Sequence, residues 1–366
     1  MKKTARSSFD TILFIDIIIL SLFGLIMIFS ASSPSAFTLY GDSFYFVKKQ
    51  LIWTVLGFIA LFVFASLDYK IYKKYSVLIY AANIVALLLV LAIGVETKGA
   101  KRWINLGFST VQPSEFTKIA IVITLAVYFA AIKNIKQTWK NVYLPLFVLV
   151  AIPCALLVLQ PHFSVIIIIG LTVFGMLIAY GLQFKWYLPI IAAGVPTAIA
   201  LVVMEPYRLQ RVTAFMDPFK DKLGDGWQIV QSLYAIGSGG IIGLGLSRSK
   251  QKHLYIPEPQ NDFIYSIICE ELGLIGGILV ILLFAILLWR CVKIATSCPD
   301  DFGTYLAFGM GILITVQVFL NIAVATSSVP PTGVPLPFFS AGGSSFLFQM
   351  VAMGIVLNVS RHKSEA

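Results

Sequence analysis

Charged side chains are scarce in this sequence: aspartate, glutamate, lysine and arginine together make up 12% of its 366 residues. A soluble protein carries roughly twice that share, about 25%, so the composition excludes a soluble globular enzyme. The hydrophobic share of 58% also excludes a disordered protein. With a mean hydropathy of +0.90, the composition predicts a polytopic membrane protein whose apolar residues face lipid as well as one another.

The usual signatures of metal and nucleotide binding are also missing. No C-x-x-C pair occurs among the four cysteines, and His162 and His253 have no partner at metal-ligand spacing. Neither a disulfide framework nor a zinc or histidine metal site is therefore predicted. The glycine-rich segment 226–246 has neither the Walker interval nor a G-x-G-x-x-G pattern, so no nucleotide is implied. A re-entrant or interfacial segment with close backbone approach is the preferred interpretation.

Apolar stretches near the length that spans a bilayer, about 20 residues, predict an all-α bundle of about ten transmembrane helices. The chain is read as a single transmembrane domain, residues 1–366, whose longest connection, residues 205–261, lies between the seventh and eighth helices. The predicted helices are 12–31, 50–66, 77–95, 116–132, 143–159, 164–181, 186–204, 263–289, 304–325 and 343–358.

The distribution of basic residues predicts the orientation of the bundle. With the N-terminus inside, the inside segments carry 14 Lys and Arg and the short outside loops carry 5, as the positive-inside rule requires. An even helix count then places both termini in the cytoplasm and the 205–261 connection outside. The excess of 27 basic over 17 acidic residues is read either as positive-inside anchoring or as an anionic ligand or lipid headgroup.

Two basic segments are candidates for binding or chemistry. Lys101 and Arg102 precede Glu115 and Lys118, which are i,i+3 neighbours at the start of a predicted helix. This pattern is typical of an interfacial turn with a capping ion pair, or of an intramembrane pair kept for function. Arg208 and Arg211, also i,i+3, suit a phosphate or pyrophosphate through their forked donors. The alternative for them is a surface helix whose arginines reach the headgroups.

Asp262 is the sharpest candidate for catalysis. It follows two prolines and precedes a long apolar helix, at the membrane edge, where a carboxylate can act as a general base or simply cap the helix. Glu270 lies two turns further on, on the same side, and Glu271 follows it. Each buried carboxylate costs about 2.5–3.5 kcal/mol to insert unpaired, so basic partners are implied, with Lys118 as a candidate.

Several long motifs occur in order along nearly the whole chain: IFSASS, FVKKQLIW, GAKRWINLG, QPSEFTK, YRLQRVTAFMDP, WQIVQSLYAIGSGGIIGLGL, IPEPQNDFIYSIICEELG, PLPFFSAGGSS and LNVSR. Together they resemble the SEDS family (shape, elongation, division and sporulation), whose members include FtsW, RodA and SpoVE. The resemblance is closest to the division and sporulation branch. Some positions depart from the family pattern: His162 replaces the usual Asp of a QPD motif, Asn261 replaces Thr, Ala341 replaces Tyr, and Pro331 and Pro335 are extra.

The resemblance implies a ten-helix peptidoglycan glycosyltransferase in the cytoplasmic membrane that polymerises lipid II at the outer face, for septal, cell-wall or spore-cortex synthesis. The family's essential aspartate matches Asp262, its neighbouring Glu and Lys match Glu115 and Lys118, and its loop arginines match Arg208 and Arg211. The implied partner is a class B penicillin-binding protein, a transpeptidase, and the remaining contacts are membrane lipids rather than nucleic acid.

These residues lead to a mechanistic hypothesis. Asp262 takes the proton of the acceptor hydroxyl, and the donor anomeric carbon is inverted. Glu115, Lys118, Glu270 and Glu271 form the charge network near the base. The departing pyrophosphate is stabilised by basic side chains, with a divalent cation, Mg²⁺ or Mn²⁺, as an optional addition whose ligands are unknown. The alternative is a lipid II flippase or transporter, which predicts charges near the membrane midplane. The basic side chains are Lys101, Arg102, Arg208 and Arg211.

Overall fold

The structure is a computed structural model, and it describes residues 8–97, 100–105, 107, 110–220, 224, 226–253 and 255–362. The first half of the chain contains α1 (Thr11–Tyr40), α2 (Tyr45–Ser66), α3 (Lys70–Lys74), α4 (Ser76–Ile93), β1 (Val95–Thr97), β2 (Ala100–Asn105), β3 (Thr110–Val111), α5 (Pro113–Ile132), a π-helical turn (Trp139–Tyr143), α6 (Leu144–Leu159) and α7 (Phe163–Tyr180). The second half contains a 3-10 turn (Phe184–Trp186), α8 (Tyr187–Val203), α9 (Pro206–Met216), α10 (Trp227–Gly239), α11 (Ile264–Ser297), α12 (Asp301–Ala325) and α13 (Gly343–Ser360).

The predicted all-α membrane bundle is confirmed. Within the described residues, nine helices are long and apolar enough to cross a membrane. The predicted seventh helix corresponds to α8, which has 17 residues and falls just short of that length. α1 continues to Tyr40, beyond its predicted end at Ala31, because the helix persists through a serine-rich turn and stops where Gly41 takes a left-handed conformation.

The centre of the bundle is formed by three helices. Most of the residues in the apolar windows of α5, α12 and α13 are buried, whereas most of those in α2 and α4 are only partly buried or exposed. α13 packs closely on α2, since a Cβ added to Gly354 would lie 2.6 Å from the carbonyl oxygen of Leu61. Such small-residue contacts let helix backbones approach in a membrane.

The two chain ends meet at one end of the bundle. The backbone N–H of Asp10 donates to the Ser360 hydroxyl at 2.9 Å, and Arg290 Nε donates to the Asp10 carboxylate at 3.1 Å. The start of α1 therefore lies beside the ends of α11 and α13. This arrangement agrees with an even number of crossings; the cytoplasmic placement of the termini stays a prediction.

Two connections are more ordered than their sequences indicated. The basic segment around Lys101 and Arg102 was read as an interfacial turn, but β2, which contains both residues, pairs with β1 and β3 in an antiparallel β1-β2-β3 sheet. Val95 lies opposite Trp103, and Ile104 lies opposite Val111. The 205–261 connection contains α9 and α10, and α10 buries one face, including Ile229 and Val230.

α11 is broken at Gly273, which has φ 66° and ψ −166°. The break frees helical carbonyls, and the glycine-rich segment after α10 binds them: Leu244 N–H donates to Glu270 O at 3.0 Å and Gly245 N–H to Glu271 O at 2.9 Å. In return, Leu274 N–H donates to Gly240 O at 2.9 Å. The predicted close backbone approach of residues 226–246 is confirmed, and it isolates a short half-helix that begins just after Asp262.

Candidate active site

Four consecutive loop residues, Pro331 to Val334, connect the elements of the candidate site. Pro331 O accepts from Arg211 Nη1 at 3.0 Å, and Thr332 O accepts from the Ser164 hydroxyl of α7. A Cβ added to Gly333 would lie 3.4 Å from Asp262 Oδ2, and Gly333 has φ +70°, a conformation that favours glycine. This uncharged loop therefore places α7, α9 and the start of α11 around the Asp262 carboxylate.

Asp262 does not cap α11. The N-cap residue is Phe263, and its side chain makes no capping hydrogen bond, so the interpretation of Asp262 as a helix cap was wrong. Asp262 is partly exposed, and the backbone beside it is held on both sides. Ser340 Oγ donates to Asn261 O at 2.7 Å, and Asn321 Nδ2 donates to Asp262 O at 2.8 Å. The carboxylate thus stands at the edge of the bundle on a fixed backbone.

Glu115 and Lys118 form a buried ion pair in the first turns of α5. Lys118 Nζ lies 2.8 Å from Glu115 Oε1 and also donates to Gln317 Oε1 at 2.8 Å. Gln317 and Asn321 are i,i+4 neighbours on α12 and lie on one face. The pair is therefore connected to the backbone of Asp262 through α12. The pairing was predicted, whereas Gln317 and Asn321 were missed; two buried amides one turn apart in an apolar helix were the available signal.

A basic partner was predicted for the buried Glu270 and Glu271; Glu271 has one, but the candidate Lys118 was wrong. Glu271, fully buried, pairs with Lys252 at 2.8 Å and accepts from the Ser30 hydroxyl. Glu270 accepts from the Ser249 hydroxyl and from Lys250 N–H at 2.8 Å. The segment after α10 turns back onto the half-helix and supplies these donors, which periodicity along α11 could not indicate. The two glutamates hold that segment in place.

The four other basic residues predicted to bind the pyrophosphate lie in three different places. Arg102 donates through Nε to Gln160 O at 3.4 Å and through Nη2 to Pro161 O, and the Arg208 guanidinium lies 5.2 Å from the centre of the Phe163 ring. Both arginines therefore lie at the start of α7. Lys101 is exposed on β2. Arg211 contacts the loop that faces Asp262, so the i,i+3 arginines of α9 bind two different elements.

His162, just before α7, is buried. Burial lowers its pKa to about 3, and the charges of Arg102 and Lys118 act in the same direction. Within the part of the chain that the structure describes, no group of three or more His, Cys, Asp or Glu side chains could hold a metal ion. The described residues therefore do not fit a cation held by the protein alone.

Sequence comparisons extend over the whole chain. The model of the FtsW/RodA/SpoVE family, described as cell cycle protein, matches residues 10–365. The chain is 38% identical over 361 residues to stage V sporulation protein E of Bacillus subtilis, covering 98% of this chain and 99% of that protein. It is 39% identical over 363 residues to a probable peptidoglycan glycosyltransferase FtsW of Trichlorobacter lovleyi, covering 98% and 95%.

Solved structures share the fold. A chain from a peptidoglycan synthase complex, described as coordinating polymerization and crosslinking, superposes with a TM-score of 0.80 at 28% identity, covering 98% of this chain and 99% of that one. The rod shape determining protein RodA of Thermus thermophilus has the same fold, with a TM-score of 0.73 at 24% identity and 98% coverage of both chains. This chain therefore belongs to the FtsW/RodA/SpoVE family of polytopic membrane proteins.

Proposed function

We propose that this protein is a peptidoglycan glycosyltransferase that polymerises lipid II at the outer face of the cytoplasmic membrane. Relatives named as probable peptidoglycan glycosyltransferases FtsW support the reaction class. The single observation that carries the proposal is the position of Asp262, a partly exposed carboxylate on a fixed backbone. It faces a loop that also binds Arg211 and the start of α7.

In the proposed reaction, Asp262 accepts the proton of the acceptor sugar's 4-hydroxyl. The acceptor oxygen forms a bond to the donor anomeric carbon while the bond from that carbon to the pyrophosphate oxygen breaks. Attack opposite the leaving group inverts the anomeric carbon and gives a β-linkage. Such a base must come within about 2.6–3.2 Å of the proton-bearing oxygen, which the edge position of Asp262 allows.

The leaving pyrophosphate carries the negative charge that develops in the reaction. Arg102 and Arg208, both at the start of α7, supply positive charge there, and Lys101 is close by in sequence on β2. Cationic donors that are already in place stabilise developing charge without reorganisation. A Mg²⁺ or Mn²⁺ ion would enter as a companion of the substrate pyrophosphate, since the described residues offer no ligand set of their own.

The Glu115–Lys118 pair fixes the position of Asp262 through α12. Lys118 donates to the side chain of Gln317, and Asn321, one turn further along α12, donates to the backbone carbonyl of Asp262. This path makes the buried ion pair a positioning device for the base. A buried pair is sensitive to loss of one partner, because the other is left as an uncompensated charge.

A lipid II flippase remains the second candidate because it would also need a basic headgroup site beside lipid. It predicts charges near the midplane and two access states. In the structure, Asp262, Arg211 and Arg208 all meet at one end of the bundle, at the starts of α7 and α11. This clustering favours an enzyme over a transporter.

The proposed partner is a class B penicillin-binding protein, because a chain of this fold occurs in a complex described as coordinating polymerization with crosslinking. Such a transpeptidase would crosslink the strands made here, for septum, cell wall or spore cortex.

The discriminating experiment reconstitutes the purified protein in liposomes with fluorescent lipid II, alone and with a candidate transpeptidase. Glycan strands separated by gel electrophoresis support the enzyme. Transfer of labelled lipid II between leaflets without polymer would support the flippase instead and contradict the proposal.

A further inference from the structure

The first turn of α7 has no side-chain cap. His162 occupies the N-cap position, and its side chain accepts no hydrogen bond from the N–H groups that follow. The first N–H groups of a helix have no partner within the helix. Together with the helix dipole they favour an anion, and α7 is long enough, at 18 residues, for this effect to be substantial.

His162 supplies a second and independent observation. Its side chain is 9% exposed, and the amide Nε2 of Gln112 lies 3.3 Å from its ring Nε2. Because an amide nitrogen only donates, the ring Nε2 accepts and the ring proton lies on Nδ1. Among the described residues, Nδ1 has no hydrogen-bond partner. A buried donor without an acceptor is costly, so this N–H indicates an acceptor oxygen that a ligand brings to the start of α7.

Two arginines flank the same helix end. Arg102 donates to the carbonyls of Gln160 and Pro161, the two residues before His162. Arg208 lies over the ring of Phe163, the residue after it. Residues 160–163 therefore bring together the N-terminus of a helix, a neutral N–H donor and two arginines that contact them. These are the groups that bind a phosphate.

This helix end is also connected to Asp262. The Ser164 hydroxyl donates to Thr332 O, and the next residue, Gly333, lies against the Asp262 carboxylate. The start of α7 and the proposed base therefore contact adjacent residues of one loop. A sugar joined to a phosphate at α7 would have its anomeric carbon in the neighbourhood of Asp262.

We propose that the N-terminus of α7, with His162 Nδ1–H as a donor, binds the pyrophosphate of a polyprenyl-linked substrate. The identity of that substrate rests on the proposed function. Arg102 and Arg208 bind the phosphates, whereas Arg211 holds the loop that faces Asp262. His162 is then a binding residue of this chain.

Binding of farnesyl pyrophosphate to the full-length protein in nanodiscs, measured by calorimetry, tests the site. His162→Asn keeps an N–H near the position of Nδ1, whereas His162→Gln reaches only the position of Nε2. Loss of one hydrogen bond to a charged oxygen weakens binding about ten- to hundredfold, so we expect that loss in H162Q and most of the affinity retained in H162N. The exposed His253→Gln serves as the matched control and keeps wild-type affinity.

Equal affinity of wild type and H162Q would overturn the proposal, as would equal losses in H162N and H162Q with unchanged melting temperatures. Inorganic pyrophosphate distinguishes a lipid-linked ligand from a free one: we expect it to bind more weakly than farnesyl pyrophosphate, and equal binding would overturn the polyprenyl assignment. A wild type that binds through His162 but makes no glycan contradicts the proposed function and leaves this site standing. A polymerising wild type whose H162Q variant binds normally contradicts this site alone.

Discussion

Asn321 joins the backbone of Asp262 to the loop that faces it. Its side-chain Nδ2 donates to the carbonyl oxygens of Asp262 and Val334, each at 2.8 Å, and the residue is fully buried. One amide therefore sets the separation between the proposed base and residues 331–334. The geometry of the site depends on α12, a helix that contributes no charged group to it.

Replacing Asn321 with leucine removes both hydrogen bonds. We expect the rate of lipid II polymerisation to fall about a hundredfold, because small displacements of a catalytic group have effects of that size. We also expect the free energy of unfolding to fall by about 1–3 kcal/mol. Thr315→Val is the matched control on α12, since among the described residues that hydroxyl bonds only within its own helix, to Gly311 O at 2.8 Å. An N321L protein as active as T315V would contradict the positioning role.

Removing one partner of the Glu115–Lys118 pair leaves a buried charge. We expect Lys118→Met to lower the free energy of unfolding by about 3–5 kcal/mol, measured by thermal unfolding in detergent. The double variant Glu115→Gln, Lys118→Met removes both charges and should recover most of that loss. A double variant no more stable than K118M would show that the pair is not the source of the effect.

Where the segment after α10 crosses α11, Gly243 leaves no room for a side chain, whereas Gly237 in the neighbouring helix α10 does. A Cβ on Gly243 would overlap the Glu271 carbonyl, and Gly243 has φ +89°. A Cβ on Gly237, in contrast, meets no atom of the described part of the chain within 4 Å. We expect Gly243→Ala to abolish folding or activity. Gly237→Ala should be neutral or stabilise by up to about 1 kcal/mol, because alanine is the better helix former. Equal yields and activities of the two variants would contradict the close contact between Gly243 and the backbone of Glu271.

The buried His162 predicts a pH dependence of stability. Its pKa falls from the ordinary 6.5 to about 3, so the unfolded chain binds a proton before the folded one does. Stability from this group is present above about pH 6.5 and is lost as the pH falls toward 3, by about 2 kcal/mol at pH 5. The measurement compares melting temperatures of wild type and His162→Asn, which cannot titrate. Parallel curves for the two proteins from pH 7 to pH 5 would contradict a buried neutral histidine.

Hydropathy predicted the bundle well because membrane crossing is a local property of composition. The helix ends were less predictable, as α1 shows, since a serine-rich turn can remain helical when it is buried against a neighbour. The three short strands, one of which contains Lys101 and Arg102, are too short to show the alternation of polar and apolar residues that predicts a strand.

Within the candidate site, one contact was predictable from the sequence and the others were not. The i,i+3 spacing of Glu115 and Lys118 was sufficient to predict their pairing, because a single helix fixes it. The partner of Glu271 is Lys252, 19 residues away, and only the backward turn after α10 brings the two together. Likewise, the proximity of Arg211 and Asp262 depends on a third segment, Pro331 to Gly333, whose uncharged sequence carries no electrostatic signal.

The most direct test of the account is the pH–rate profile of lipid II polymerisation by purified wild-type and Asp262→Asn proteins. The carboxamide keeps the size of the side chain and cannot accept the proton of the sugar hydroxyl. We predict a loss of at least about a hundredfold in rate, in a variant that folds and still binds farnesyl pyrophosphate. Near-normal polymer from D262N, with an unchanged pH profile, would contradict the role of Asp262 as the base.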